Sequence, residues 1–206
     1  DIVMMHPVVT ALRATFGQDA VVYFVCMDRC RQAAELLSGI DVVHTVVRGT
    51  GEVLNALRER EFDYLLDLHG TVRSRSLARN LDVLTFSVDK QAWNRWRLIR
   101  GWRSLPVSSF VDRCLEVLLP FGITPPPSKS WGPDAWGAMR PHEAMDDVPP
   151  ADLVIGLGSS HPGKHLSNAV VEAALHASRH VRVVLVGGEA ERARAEELAA
   201  RHTHAL

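Results

Sequence analysis

Several stretches of the chain combine residue types and spacings that could do chemistry. In "DLHGTVRSRS" (67–76), Asp67, His69, Arg73, Ser74 and Arg75 surround Gly70, whose backbone freedom suits a sharp turn. Arg73 and Arg75 fall at the start of a helical pattern, where cations oppose the helix dipole unless an anion also binds. A polar loop with solvated arginines accounts for the same residues equally well, and position on the binding edge is what argues for function. In "GLGSSHPGKHLSN" (156–168), Gly156, Gly158 and Gly163 permit close backbone approach, and Ser159, Ser160 and Lys164 offer donors to an oxyanion. These are the ingredients of a phosphate cradle, although the order is neither a Walker A loop nor a G-x-G-x-x-G fingerprint. A generic Gly/Ser turn is the competing account.

A further stretch, "DKQAWNRWRLIRGWRSLP" (89–106), interleaves Lys90, Arg95, Arg97, Arg100 and Arg103 with Trp93, Trp96 and Trp102. Such a mixture suits acidic lipid headgroups, or a partly buried helix with snorkelling arginines, with equal weight. In "VGGEAERARAEELAARH" (186–202), Glu189 and Glu191 read as first-turn acids that favour the helix dipole. His202 and His204 lack a third ligand and are weak evidence for a metal. Cys26, Cys30 and Cys114 are too few and too irregular for a disulfide scaffold or zinc cluster. Cys26 and Cys114 read as small buried hydrophobes in a reducing compartment.

These residues must be held by a scaffold, and the alternation of patterns says which. Helical "PVVTALRATF" leads into the continuous apolar run "AVVYFVC", the mark of a strand buried on both faces. A helix over 30–38, the strand "VVHTVV", a helix over 52–60, "FDYLLDLHG" as strand into loop, the helix "VRSRSLARN" and the strand "VLTFSV" follow. Repeated units of this length imply an α/β fold with a parallel sheet and helices on both faces. Residues 123–150 are Pro- and Gly-rich and read as an interdomain linker. A new cycle then begins: strand "DLVIGLG", a helix over 168–178, strand "VRVVLVGG" and a helix over 189–201, giving two strands of a second sheet. The expected organisation is an N-terminal Rossmann-like domain at 1–122, the linker at 123–150, and the start of a second such domain at 151–206. Both ends read as cut, with a first strand missing and the second domain truncated. With 47% apolar residues and a net charge of −1, a substantial core is expected and nucleic acid is not an expected partner. No apolar stretch is long enough to span a bilayer and nothing resembles a signal peptide, so a cytoplasmic protein is expected.

The loops resemble those of the bacterial heptosyltransferases (glycosyltransferase family 9), which add heptose to the lipopolysaccharide inner core. The resemblance rests on "DIVMMHPVVTALRATF", "DLHG" with Arg73 to Arg75, "WNRWRLIRGWRSLPVSSFVDR" and "GLGSSHPGKHL", met in that order along the chain. It implies the two-domain glycosyltransferase B fold with the active site between the domains. It also implies an inverting transfer from a nucleotide sugar, ADP-heptose in the best-known members, to an anionic glycolipid acceptor. On this likeness Asp1 falls on the catalytic base, Ser159, Ser160 and Lys164 on donor-phosphate contacts, and His69, Arg73 and Arg75 on the acceptor side. No metal or other cofactor is expected. Peripheral contact with the inner face of the inner membrane is expected through the Trp/Arg stretch. His165 and Leu166 depart from the family, which usually carries an Arg-Trp or similar pair there. The 206 residues alone are expected not to turn over. Two other readings compete: a nucleotide-sugar epimerase of the same fold, and a nucleotide-sugar-binding module without catalysis.

Overall fold

A computed structural model describes residues 2–102, 106–125, 127–128, 149–159 and 161–206, the side chain at 162 excepted. Asp1 and Ser160, both expected site residues, lie outside the described residues, as do Arg103 and most of the 123–150 stretch. The chain divides into two compact units, Asp1–Pro141 and His142–Leu206.

The first unit opens with a 3-10 turn, Val3–Met5, that runs into α1 (His6–Phe16) with proline in its first turn, where the missing N–H costs nothing. His6 is buried and its Nε2 lies 2.9 Å from the Ser38 carbonyl oxygen, which pins the start of α1. At its other end Arg13 donates from Nε to the Gly39 carbonyl and pairs with Asp41. The strands β1 (Tyr23–Met27) and β2 (Val42–Val46) flank α2 (Arg31–Glu35) and pair in parallel, Tyr23 opposite Val42 through Met27 opposite Val46. After α3 (Gly51–Arg58), β3 (Leu65–Asp67) and β4 (Thr85–Ser87) pair in parallel around α4 (Val72–Leu81). Then come α5 (Ala92–Ile99) and α6 (Phe110–Glu116). Among the described residues all strand pairs are parallel and are joined through helices, as an α/β fold requires.

Two expectations change here. The described strands of this unit form two separate pairs, not one continuous sheet. Among the described strands β1 bonds only to β2, and it is half-buried along its whole length instead of sealed on both faces, with Cys26 on it half-buried as well. The core gathers around α6, where Val111, Cys114, Leu115 and Leu118 meet Val8 of α1 and Val88. A second cluster packs Val53 and Leu57 of α3 against Val46 and Leu77.

The second unit pairs β5 (Leu153–Gly156) with β6 (Val183–Val186) in parallel, with α7 (Asn168–Ala177) between them and α8 (Arg192–Arg201) after. Its core is Ile155, Leu157, Val171, Leu175, Val183 and Leu198. Where two strands were expected, the last residues add a third edge. Val183 N–H donates to His204, Leu185 N–H to Leu206, and Leu206 N–H back to Val183, with Ala205 bridging Val183 in parallel.

Candidate functional site

Asp67 ends β3 at only 3% exposure and its carboxylate organises the loop that follows. Oδ1 accepts the N–H groups of His69 at 3.1 Å and Gly70 at 2.7 Å, while Oδ2 accepts the Ser74 hydroxyl at 2.9 Å. Thr71 and Ser74 complete a reciprocal cap on α4, the Ser74 N–H reaching the Thr71 hydroxyl and the Thr71 N–H reaching the Ser74 hydroxyl. Gly70 sits at φ +57, and a Cβ there would lie 3.1 Å from Lys90 Cε and 3.4 Å from Val88 Cγ1. Glycine therefore satisfies both the left-handed turn and the close approach of Lys90.

That approach brings together a pocket of about 220 Å³ lined by His69, Val88, Lys90, Arg95, Phe110 and Arg113. Arg113 is buried, and its Nη1 donates to the Lys90 carbonyl at 3.0 Å, which fixes both residues. Gln91 fixes the start of α5 and thereby Arg95: its side chain accepts the Ser108 N–H at 2.9 Å and bonds the Ser108 hydroxyl. Among the described residues no carboxylate lines this pocket, so cations from three separate segments face one small volume. Such a volume attracts an anion. A larger pocket of about 290 Å³, lined by Ser108, Asp112, Leu115, Glu116, Leu119, Pro125 and Pro127, carries carboxylates and lacks any of the expected residues.

Of the acceptor-side residues expected from sequence, His69 lines the cationic pocket, while Arg73 and Arg75 stand exposed on α4 and do not. Lys90, Arg95 and Arg113 were not singled out as site residues. The signal for Lys90 and Arg95 was their place in the basic, Trp-rich stretch, and that for Arg113 was the "VDR" that closes the stretch resembling the family.

In the second unit the loop after β5 carries Ser159 and, in a 3-10 turn at Pro162–Lys164, an exposed Lys164. The His165 ring nitrogen Nε2 lies 2.7 Å from the Ser159 carbonyl and His161 N–H donates to Ser159 Oγ, which folds the loop back on itself. Ser167 caps α7 by accepting the Val170 N–H. The loop after β6 contributes Glu191, whose Oε2 accepts the Gly188 N–H at 2.9 Å. A Cβ on Gly158 would lie 2.8 Å from that same oxygen, and one on Gly187 would lie 2.7 Å from Glu191 Cβ. The glycines thus admit a carboxylate to the strand ends, beside the loop that holds Lys164. The acid was legible only as a first-turn residue: its bond to Gly188 is local, but its close approach to Gly158 comes from the end of another strand.

Burial pushes the Cys114 thiol up from 9.0 to about 11, and burial, followed by Cys30, raises Cys26. Among the described residues no cluster of His, Cys, Asp and Glu is arranged to hold a metal ion. His202 and His204 meet edge to face, and His204 Nε2 bonds the Leu175 carbonyl. No helix among the described residues is long and apolar enough to cross a membrane.

Whole-fold comparison identifies similar solved structures. Heptosyltransferase WaaC of E. coli with ADP matches over 100% of this chain and 69% of its own, at TM-score 0.70 and 15% identity. The fold is that of the heptosyltransferases. ADP-heptose lipopolysaccharide heptosyltransferase II of E. coli matches 97% of this chain and 64% of its own, at TM-score 0.63 and 17% identity. A glycosyltransferase family 9 protein of Veillonella parvula matches 97% and 62%, at TM-score 0.64 and 15% identity. The chain thus spans between 62% and 69% of these heptosyltransferase-fold chains. No protein-family model and no curated protein matches its sequence.

Proposed function

We propose that this chain is the greater part of an inverting glycosyltransferase that moves a sugar, heptose from ADP-heptose, to an anionic acceptor of the lipopolysaccharide inner core. The observation that carries the reading is the fold match along the full chain to a heptosyltransferase solved with ADP. The loops reinforce it, since one unit has a cationic pocket and the other a Gly-rich loop with a lysine, each following the carboxyl end of a strand. Ligands of open α/β sheets bind at that edge.

In this reading residues 1–122 hold the acceptor and residues 151–206 begin the donor-binding domain. His69, Lys90, Arg95 and Arg113 take an anionic group of the acceptor, with Arg73 and Arg75 on the same side. Asp1 accepts the proton of the acceptor hydroxyl as its oxygen bonds the anomeric carbon. The bond from that carbon to the donor phosphate breaks at the same time, and its electron pair leaves with ADP. One displacement from the opposite face inverts the centre. The sugar passes through an oxocarbenium-like state that a neighbouring carboxylate favours. Charge builds on the leaving diphosphate, where Ser159, Ser160 and Lys164 donate to it. Glu191 repels a phosphate, so its carboxylate takes hydroxyl groups of the donor instead. These donors act without a metal. The reaction runs at the cytoplasmic side of the inner membrane, where a lipid-linked acceptor is met.

Calorimetric titration with ADP tests the reading. Saturable binding is expected, weakened on the order of tenfold by Lys164→Ala through loss of one charge-assisted hydrogen bond. A chain that takes up no ADP at millimolar concentration refutes the donor assignment. Neither the epimerase nor the non-catalytic module has an observation of its own in its favour.

A further inference from the structure

Helix α5 has eight residues, including Trp93, Trp96, Leu98 and Ile99, and buries none of them. Trp93 is 64% exposed, Leu98 59%, Ile99 84%, and Trp102 just beyond the helix 52%. A soluble protein rarely leaves that much neighbouring apolar surface uncovered unless something meets it. The rings are already ordered. Trp93 and Trp96 stack with centroids 4.8 Å apart, and Trp102 meets Trp96 edge to face at 5.3 Å. The guanidinium of Arg100 lies 4.4 Å from the Trp96 ring centroid.

The charge around these rings has one sign. Residues 90–102 contain Lys90, Arg95, Arg97 and Arg100 and no acid, in a chain whose net charge is only −1. Asp89, just before them, has its carboxylate turned to the Gln91 N–H at 2.7 Å. Tryptophan, short aliphatic tips and arginine together suit the headgroup zone of a bilayer, where rings keep one polar handle wet and guanidinium groups meet phosphate. Single-stranded nucleic acid would need open ring faces for base stacking. Here Trp93 and Trp96 occupy each other, and Arg100 lies over Trp96.

We propose that α5 and Trp102 form a docking surface for an anionic lipid bilayer. Trp93, Leu98, Ile99 and Trp102 enter the headgroup region while Arg95 and Arg100 meet lipid phosphates. Arg95 also lines the cationic pocket, so docking brings that pocket to headgroup level. The proposal needs only the exposure and charge of α5 and stands whether or not the chain transfers sugar.

Vesicle binding tests it, read by cosedimentation and by tryptophan emission with the full 206-residue chain. Vesicles of phosphatidylglycerol and phosphatidylethanolamine should bind it with a blue shift, and phosphatidylcholine vesicles should bind on the order of tenfold more weakly. Arg100→Ala should weaken binding to the anionic vesicles about fivefold. The pair Trp93→Ser with Ile99→Ser should weaken it on the order of tenfold or more, with unchanged circular dichroism because both side chains are exposed. The proposal falls if anionic vesicles are not bound, or if the paired substitution leaves binding unchanged. It falls equally if the patch joins two copies of the chain, seen as a dimer that the same pair dissociates, or if single-stranded oligonucleotides bind in preference to vesicles.

Discussion

The Asp67 carboxylate is spent inside its own loop, receiving two N–H groups and a hydroxyl at 3% exposure. Asp67→Ala strands these donors away from water and should cost about 2–4 kcal/mol, given the penalty for buried unpaired groups. Asp67→Asn should cost only about 1 kcal/mol. Its carbonyl still accepts from His69 and Gly70, and the Ser74 hydroxyl already has the Thr71 carbonyl at 3.0 Å as a second acceptor. Thermal denaturation of both variants checks this, and equal losses would contradict the geometry. From the sequence Asp67 was visible as one polar residue among several in a loop. That it builds the loop and is not free to react was hidden, because the distinction depends on burial. Cys114 makes the complementary case: burial was legible from its apolar helical face, and the thiol is raised to about 11. A raised folded value means the unfolded thiol ionises first. This residue's contribution to stability is therefore whole below pH 9.0 and is lost as pH climbs toward about 11. At pH 8 a disulfide reagent should modify Cys26 and Cys30 while Cys114 reacts only on unfolding.

At the scale of elements, the junction of β2 with α3 shows how one side chain sets a boundary. Glu52 of α3 accepts the N–H groups of Val47 at 2.9 Å, Arg48 at 2.7 Å and Gly49 at 3.0 Å. These bonds, that to Val47 first, hold the carboxyl below its ordinary 4.5. A lowered folded value means the contact is whole above pH 4.5 and is lost as pH falls through the folded value. Amide-exchange protection at Val47, Arg48 and Gly49, taken relative to the intrinsic rate at each pH, should therefore fall on acidification ahead of that of the core amides. Glu52→Ala should produce the same exposure at neutral pH, and unchanged protection there would show that the loop holds itself. The order of strands and helices was legible because periodicity is local. Pairing was not. Whether β1 is sealed or half-open, and whether residues 204–206 add an edge to β6, depends on neighbours distant in sequence. The basic, Trp-rich composition of α5 was equally plain, whereas the fact that none of its residues is fully buried is a tertiary one.

For the whole molecule, the succession of strand, loop and helix was enough to indicate an α/β fold, while the heptosyltransferase likeness rested on the resemblance of four stretches, met in order, to those of that family. The content of each candidate site was only half legible. Gly158 and Glu191, or Lys90 and Arg113, are brought together by chain reversals that no local spacing encodes. The proposed function entails a division of labour between the two units. The cationic pocket lies within the first unit and the Lys164 loop within the second. Lys90→Gln should then weaken uptake of a phosphorylated sugar acceptor on the order of tenfold, by removing one cation from a pocket whose described lining holds no acid. Its ADP affinity should stay within about twofold of the parent chain, since side chains without shared partners act independently. Lys164→Ala should show the reverse, with weakened ADP binding and acceptor uptake intact. Calorimetry with each ligand on each variant separates the cases. If Lys90→Gln lowers ADP affinity as much as Lys164→Ala does, a single anion site serves both ligands and the assignment of acceptor and donor to different units is wrong.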